Sequence, residues 1–373
     1  MSKTFTSDIY TYTGPYEELG SGASAKILAF DVVRNDNPGD SKRMAVKQFN
    51  QFMNDNYNIE KANLDKMKSI PYLKSIYESW FTDDKFNILC MDMYKTNFDT
   101  YGFNNVDSET FMDKFLLKLI IFIMVLYENN LYYTDLKPAN ILNNDTEMIL
   151  GDIGSIVFID NDIDRKTPAI TPPYKLAHSF IHEAHDRKMI RSQTLYALCL
   201  NLIIIMCHYF KLNDFLIVPQ KEWCTTLHAL NSAWYSTRTN FSSNVPKNLK
   251  PLFKKYKKKM ENNNDYYQLN IDVLNDIVEN IKPIEREMFS PIFDIIRLIF
   301  EHLRDNKDLA QIFNQIRINM LNLCITREAD KMKIGSRSHQ LIESRRKCSK
   351  DMDQIIEQSR QNVAIHLPSD APQ

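Results

Sequence analysis

Up to Tyr94 the apolar residues come in short runs separated by glycine and polar turns, the pattern of strands. Tyr16–Phe30 sets apolar and small residues around Gly20-Ser21-Gly22, which predicts two strands joined by a tight turn. Arg34–Lys42, RNDNPGDSK, reads as a loop from its Asn, Pro, Gly and Asp content. Met44–Phe49 alternates as a short strand does, and Phe86–Met91 is a compact apolar run of strand length. Between them, Ile59, Ala62, Leu64 and Met67 recur near helical spacing over Asn58–Lys68. Residues 1–13 read as a polar leader without the apolar core of a secretory signal.

Beyond Tyr94 the runs lengthen. Phe111–Tyr127 predicts a long buried helix. Two short apolar runs, Asn140–Leu142 and Met148–Leu150, then flank a turn at Asn143-Asn144-Asp145. After a loop with Pro168, Pro172 and Pro173, helices are expected at Leu195–Phe210, Ile271–Ile281 and Phe289–Leu303. The most apolar stretches, Phe115–Tyr127 and Leu195–Phe210, fall short of the ~20 residues a bilayer span needs. Lys118 interrupts the first, and Asn201 and His208 the second. Both read as core helices, so no membrane span is expected.

Composition sharpens this picture at four points. The 373 residues exceed what one core holds, so two lobes and a tail are expected. With 46 Lys+Arg against 47 Asp+Glu, the chain is not a polycation that coats nucleic acid by bulk charge. Its 8 glycines are about 2% against a typical ~7%, so Gly20, Gly22 and Gly154 stand out. The six cysteines form no C-x-x-C pair and read as free thiols, which suits the cytoplasm or another reducing compartment. Two segments are basic: Lys247–Lys259, with seven lysines and no acid, and Arg327–Lys350, with eight Lys/Arg against three Asp/Glu. They read as solvated surface, with docking to an acidic partner as the alternative. No aromatic platform accompanies the second, so specific nucleic-acid readout is unsupported. His178, His182 and His185 share a helical face but have one acid nearby, and read as surface or packing histidines rather than a metal site.

Four elements carry chemistry. Gly20 and Gly22 would let backbone amides approach a phosphate with no Cβ in the way, although a plain turn would look the same. Lys47, in Ala45-Val46-Lys47, is a point charge suited to phosphate oxygens or an ordinary strand lysine. Tyr133–Leu142 is more specific, because it places Asp135, Lys137 and Asn140 within six positions after a buried helix. The aspartate can accept a hydroxyl proton, the lysine can neutralise a migrating phosphoryl group, and the amide can offer oxygen to a hard cation. Asp152-Ile153-Gly154 follows, where a carboxylate can reach a metal while the chain turns, or form a simple turn.

In this order the four elements resemble the eukaryotic-type protein kinase family, serine/threonine branch, over about residues 14–305. The resemblance implies an α+β, two-lobed protein-kinase-like fold with a small β-rich N-lobe and a larger helical C-lobe. It sets the N-lobe at 14–94 and the C-lobe at 95–325, with a divergent insertion at about 211–267 and a basic tail at 326–373. It implies ATP and Mg2+ as cofactors and a protein substrate. Gly20 and Gly22 would cover the ATP phosphates, and Lys47 would hold the α- and β-phosphates. Glu60 rather than Asp55 would pair with Lys47. Ile27, Ala45 and Leu142 would sandwich the adenine. Asp92, Met93 and Tyr94 would form the hinge, after Met91 as gatekeeper. Asp135 would be the catalytic base, Lys137 the charge neutraliser, and Asn140 and Asp152 the magnesium ligands.

The chain departs from the family in several places. Ala25 replaces a glycine and Ile153 a phenylalanine, both mild changes. The A-P-E motif is not recognisable in Thr171–His178, and Thr194 occupies the place of an aspartate that braces the catalytic loop. These losses leave two alternatives to an active serine/threonine kinase: a pseudokinase scaffold, or a kinase-fold phosphotransferase acting on a small molecule or lipid. Thr134 replaces the arginine that normally pairs with an activation-loop phosphate, which removes a bidentate partner for such a phosphate. Activity is therefore expected not to depend on that phosphate. Replacing Thr167 and Thr171 with alanine should leave the phosphorylation rate nearly unchanged, and a loss beyond about tenfold, roughly 1.4 kcal/mol, would refute this.

Overall fold

The computed structural model describes residues 3–22, 25–50, 54–103, 105–144, 148–158, 187–212, 254–255, 266–305, 314–316 and 318–319. Contacts divide the chain into two units, one of Met1–Lys95 with Ile149–Val157 and one of Thr96–Met148 with Phe158–Gln373. The segment at 149–157 thus groups with the first unit, whereas the sequence reading assigned it to the C-lobe.

The first unit is built on an antiparallel sheet. Its strands are β1 (Lys3–Thr6), β2 (Tyr10–Gly14), β3 (Glu18–Ser21), β4 (Ala25–Arg34), β5 (Asn37–Phe49), β6 (Phe81–Asp83) and β7 (Ile88–Asp92). The order is β1-β2-β4-β5-β7-β6, with β3 also pairing β4. One face of the pleat buries Tyr12, Phe30, Val32, Met44, Val46, Ile88 and Cys90, with Phe5, Tyr10, Leu28, Phe81 and Phe86 packed against them. Tyr12 stacks on Phe5 at 4.7 Å, and its hydroxyl donates to Asp83 Oδ2 at 2.7 Å, so the polar end of a fully buried ring is satisfied.

Two readings of the sequence are corrected here. The supposed polar leader forms β1 and β2. Its threonines alternate with Phe5, Tyr10 and Tyr12 across the pleat, and Thr4 and Thr6 face Thr13 and Thr11 in register. The supposed loop at Arg34–Lys42 is a hairpin whose turn is only Asn35-Asp36, with Val32 opposite Lys42 and Val33 opposite Ser41. Its polar composition reflects a ribbon exposed to solvent over 37–43, not an absence of pairing.

Helix α1 (Asn54–Lys68) buries Tyr57, Glu60, Asn63, Leu64 and Met67. The apolar stripe expected through Ile59 and Ala62 is rotated, and Ile59 is 43% exposed. A short helix, α2 (Pro71–Ile76), follows, with proline in its first turn, where a missing N–H costs nothing. Tyr77, just beyond it, donates its hydroxyl to the Leu150 carbonyl at 2.7 Å.

The second unit is mainly helical. Asp107 caps α3 (Ser108–Phe111) by accepting from the Thr110 amide at 2.8 Å. The helix runs on through a π-helical stretch, Met112–Leu117, into α4 (Lys118–Glu128). The remaining helices are α5 (Arg187–Tyr209), α6 (Tyr266–Glu279) and α7 (Pro283–Asp305). Phe111 stacks on Tyr209 at 3.8 Å and approaches Phe289 at 5.9 Å, which ties α3, α5 and α7 together. Short strands complete the unit: β8 (Thr96–Asn97), β9 (Leu131–Tyr133) and β10 (Ile141–Asn143), with β8 and β10 antiparallel. Two further short strands are β11 (Met148–Leu150) and β12 (Ile156–Phe158). Within α5, Met189–Tyr209 is long and apolar enough to cross a membrane, but 89% of its most apolar 18-residue window is buried in the protein, as a core helix is.

The role found for the N-terminal hairpin is testable. Tyr12→Ala should lower stability by about 3–5 kcal/mol, because a buried ring and a hydrogen bond are lost together. Urea unfolding measures this, and a change below about 0.5 kcal/mol would return residues 1–13 to the status of a leader.

Candidate active site

In the first unit the strand register gathers one set of predicted residues. Ile27 lies opposite Lys47 and Ala45 opposite Met91, so all four share the sheet face turned away from the aromatic core. The Lys47 ammonium lies 2.5 Å from Glu60 Oε1 and 2.9 Å from Asp152 Oδ1. Lys47 is 7% exposed and Glu60 3%. Burial works against the lysine's charge, but Glu60 and Asp152 outweigh it and raise its pKa. For Glu60, burial dominates over the attraction of Lys47 and raises its pKa. Its Oε2 is buried with no hydrogen-bond partner among the described residues.

Asp152 sits in the left-handed region at φ 43°, an uncommon conformation for a residue with a side chain, and one that concentrates at functional sites. Its side chain is 41% exposed, and Ser155 Oγ donates to its Oδ2 at 3.2 Å. Gly154 lies directly against the acid, where a Cβ would stand 2.8 Å from Glu60 Oε1. Asn63 Nδ2 donates to the Ile153 and Ile156 carbonyls, both at 2.8 Å. At the β3–β4 turn a Cβ on Gly20 or Gly22 would meet nothing within 4 Å, and the Gly22 amide donates to the Ala25 carbonyl at 2.9 Å, which closes the turn. Asp92, at the end of β7, takes Lys42 at 2.5 Å and the Ser79 hydroxyl, which occupies its carboxylate; Met93 is half-buried beside it.

In the second unit the chain leaves β9 into the catalytic-type loop. Asp135 is buried and pairs with Lys137 at 2.8 Å. Lys137 is extended, as a residue before proline is, and Pro138–Asn140 makes one 3-10 turn. Asn140 Nδ2 donates to the Asp135 carbonyl at 2.9 Å, which commits the amide's nitrogen and leaves its oxygen as the atom suited to a cation. Leu142 is half-buried on β10. Thr134 is fully buried and uncharged.

The sequence reading missed how this loop is held. Thr194 makes long contacts, donating to Ile190 at 3.2 Å and toward the Tyr133 carbonyl at 3.5 Å. The shorter link comes from Asn201, one face and two turns along α5, whose Nδ2 donates to the Leu136 carbonyl at 2.9 Å. Arg191 Nε donates to the Tyr132 hydroxyl at 2.9 Å. The signal for Asn201 was present, as a polar residue inside an apolar helical run.

The sequence model of the protein kinase domain matches residues 14–272, more than half of the chain. The chain belongs to the protein kinase family. A comparison with curated proteins returned no match. In this kinase domain the predicted residues therefore fall into two groups: Ile27, Ala45, Lys47, Glu60 and Asp152 in the first unit, and Asp135, Lys137 and Asn140 in the second. Each unit offers an oxygen donor of a type that Mg2+ takes, a partly exposed carboxylate on Asp152 in the first and an amide oxygen on Asn140 in the second. Thr167, Thr171, the Thr171–His178 segment, the three histidines, nearly all of 211–267 and the tail lie outside the described residues. Of the first basic segment, Lys255 pairs with Asp276 at 2.5 Å.

The tight seat of Glu60 on Gly154 leads to a prediction. Gly154→Ala should push the carboxylate off Lys47 and reduce phosphoryl transfer at least tenfold while leaving the aromatic core folded. Steady-state kinetics beside near-UV circular dichroism would check it. Wild-type kinetics would mean that Glu60 has room to move.

Proposed function

We propose that this kinase domain transfers the γ-phosphoryl group of ATP, with Mg2+, to serine and threonine hydroxyls of protein substrates. The observation that carries the reading is the buried Lys47 ammonium shared by Glu60 and Asp152 at 2.5 and 2.9 Å. A lysine fixed in this way presents a charge of set position to the α- and β-phosphates, and Glu60 keeps its side chain from swinging away. Asp152 and Asn140 are the residues that would hold magnesium, which would supply neutralisation of phosphate charge. The substrate oxygen attacks the γ-phosphorus and its proton passes to Asp135. Lys137, 2.8 Å from Asp135, balances charge on the group in transit. Lysine two positions after Asp135 supports serine/threonine over tyrosine as acceptor. Basic segments 247–259 and 327–350 would serve an acidic partner.

Intact-mass spectrometry with Mg-ATP and a basic protein substrate, beside Asp152→Asn, tests this. One added phosphate on enzyme or substrate, absent in the variant, is expected. ATP binding with no transfer would refute the catalytic reading in favour of a scaffold, and transfer to lipid or small alcohols alone would move the acceptor class.

A further inference from the structure

We propose that Asn63 is a positioning residue that ties the Asp152 segment to the helix bearing Glu60, and so holds Lys47, Glu60 and Asp152 in place without a phosphate on the activation segment. The inference rests on the phosphoryl-transfer reading above and adds to it the means by which the site is kept assembled. Asn63 follows Glu60 by three residues and so shares its helical face. It is 6% exposed, on a helix whose buried stripe is otherwise Tyr57, Leu64 and Met67 beside Glu60.

Both hydrogens of its amide are committed. One goes to the carbonyl next after Asp152 and the other to the Ile156 carbonyl, each at 2.8 Å. A buried amide is retained where its hydrogen bonds are met, and two carbonyls lose their donor if it is removed. Its grip spans the whole turn that Asp152 opens, including Gly154 under Glu60. The Tyr77 hydroxyl holds the same segment at its start, through Leu150. The position that would engage an activation-loop phosphate carries buried, uncharged Thr134, and both bonds of the tether lie inside the first unit and involve no phosphate.

The test uses the full chain with Mg-ATP and a basic protein substrate. Asn63→Leu removes both donors. Asn63→Asp keeps the side chain's size but presents oxygen to the two carbonyls, and serves if the leucine variant fails to fold. Hydrogen–deuterium exchange of amides 152–157 should quicken at least tenfold, while amides of β4 and β5 stay unchanged. The kcat should fall at least tenfold. Adding Asn63→Leu to Glu60→Gln should cost less than threefold further, because both act on one arrangement. Unchanged exchange at 152–157, a uniform rise across the sheet, or losses that multiply in the double variant would overturn the tether. A wild type that transfers no phosphate would overturn the functional reading instead, and exchange would still decide the tether.

Discussion

The arrangement of the first unit follows from one buried ammonium group. Taking a charge out of water costs several kcal/mol unless opposite charge and hydrogen bonds meet it, and removing one partner of a buried pair costs about 3–5 kcal/mol. Lys47 is met by two carboxylates from distant parts of the chain, Glu60 on α1 and Asp152 beyond β11. To deliver Glu60, α1 must turn a partly polar face inward, and this leaves Ile59 in solvent. To deliver Asp152, the segment 149–157 must leave its sequence neighbours and join the first unit. Glycine at 154 then follows from the lack of space beneath Glu60.

The same constraint explains what could be read from sequence. The contacts of Lys47 with Asp152 and of Asp135 with Lys137 could be anticipated because the chemistry proposed for these residues asks for particular residue types within short motifs. Glu60 was legible because few acids lie at the right place on one helix. Asn63 was not, because periodicity counts apolar positions, and a buried amide on the inner stripe reads as an interruption. The hairpin β1–β2 was hidden for a related reason: threonine is a strand former, yet it lowers the apolar count. The Arg34–Lys42 ribbon was misread because exposure and turn formation favour similar residues.

The second unit carries its departures from the family quietly. Neutral residues stand where the family has charged braces: Thr134 is sealed inside, Thr194 donates to its own helix at 3.2 Å, and Asn201 holds Leu136. Neutral donors carry a smaller desolvation cost than ions and do not respond to a phosphate. The loop is thereby fixed by the fold itself.

Helix α5 carries a consequence for the chain before it is folded. An 18-residue window of α5 with mean hydropathy 1.5 is as attractive to lipid as to a protein core until α4 and α7 cover it. Gln193, Thr194 and Asn201, all buried in the finished protein, bias that choice, since polar side chains are costly in hydrocarbon and only the folded protein offers Asn201 the Leu136 carbonyl beside its own helix's Ala197. Asn201, which holds the loop at Leu136, thus also makes α5 a costlier bilayer span than its apolar neighbours alone would make it.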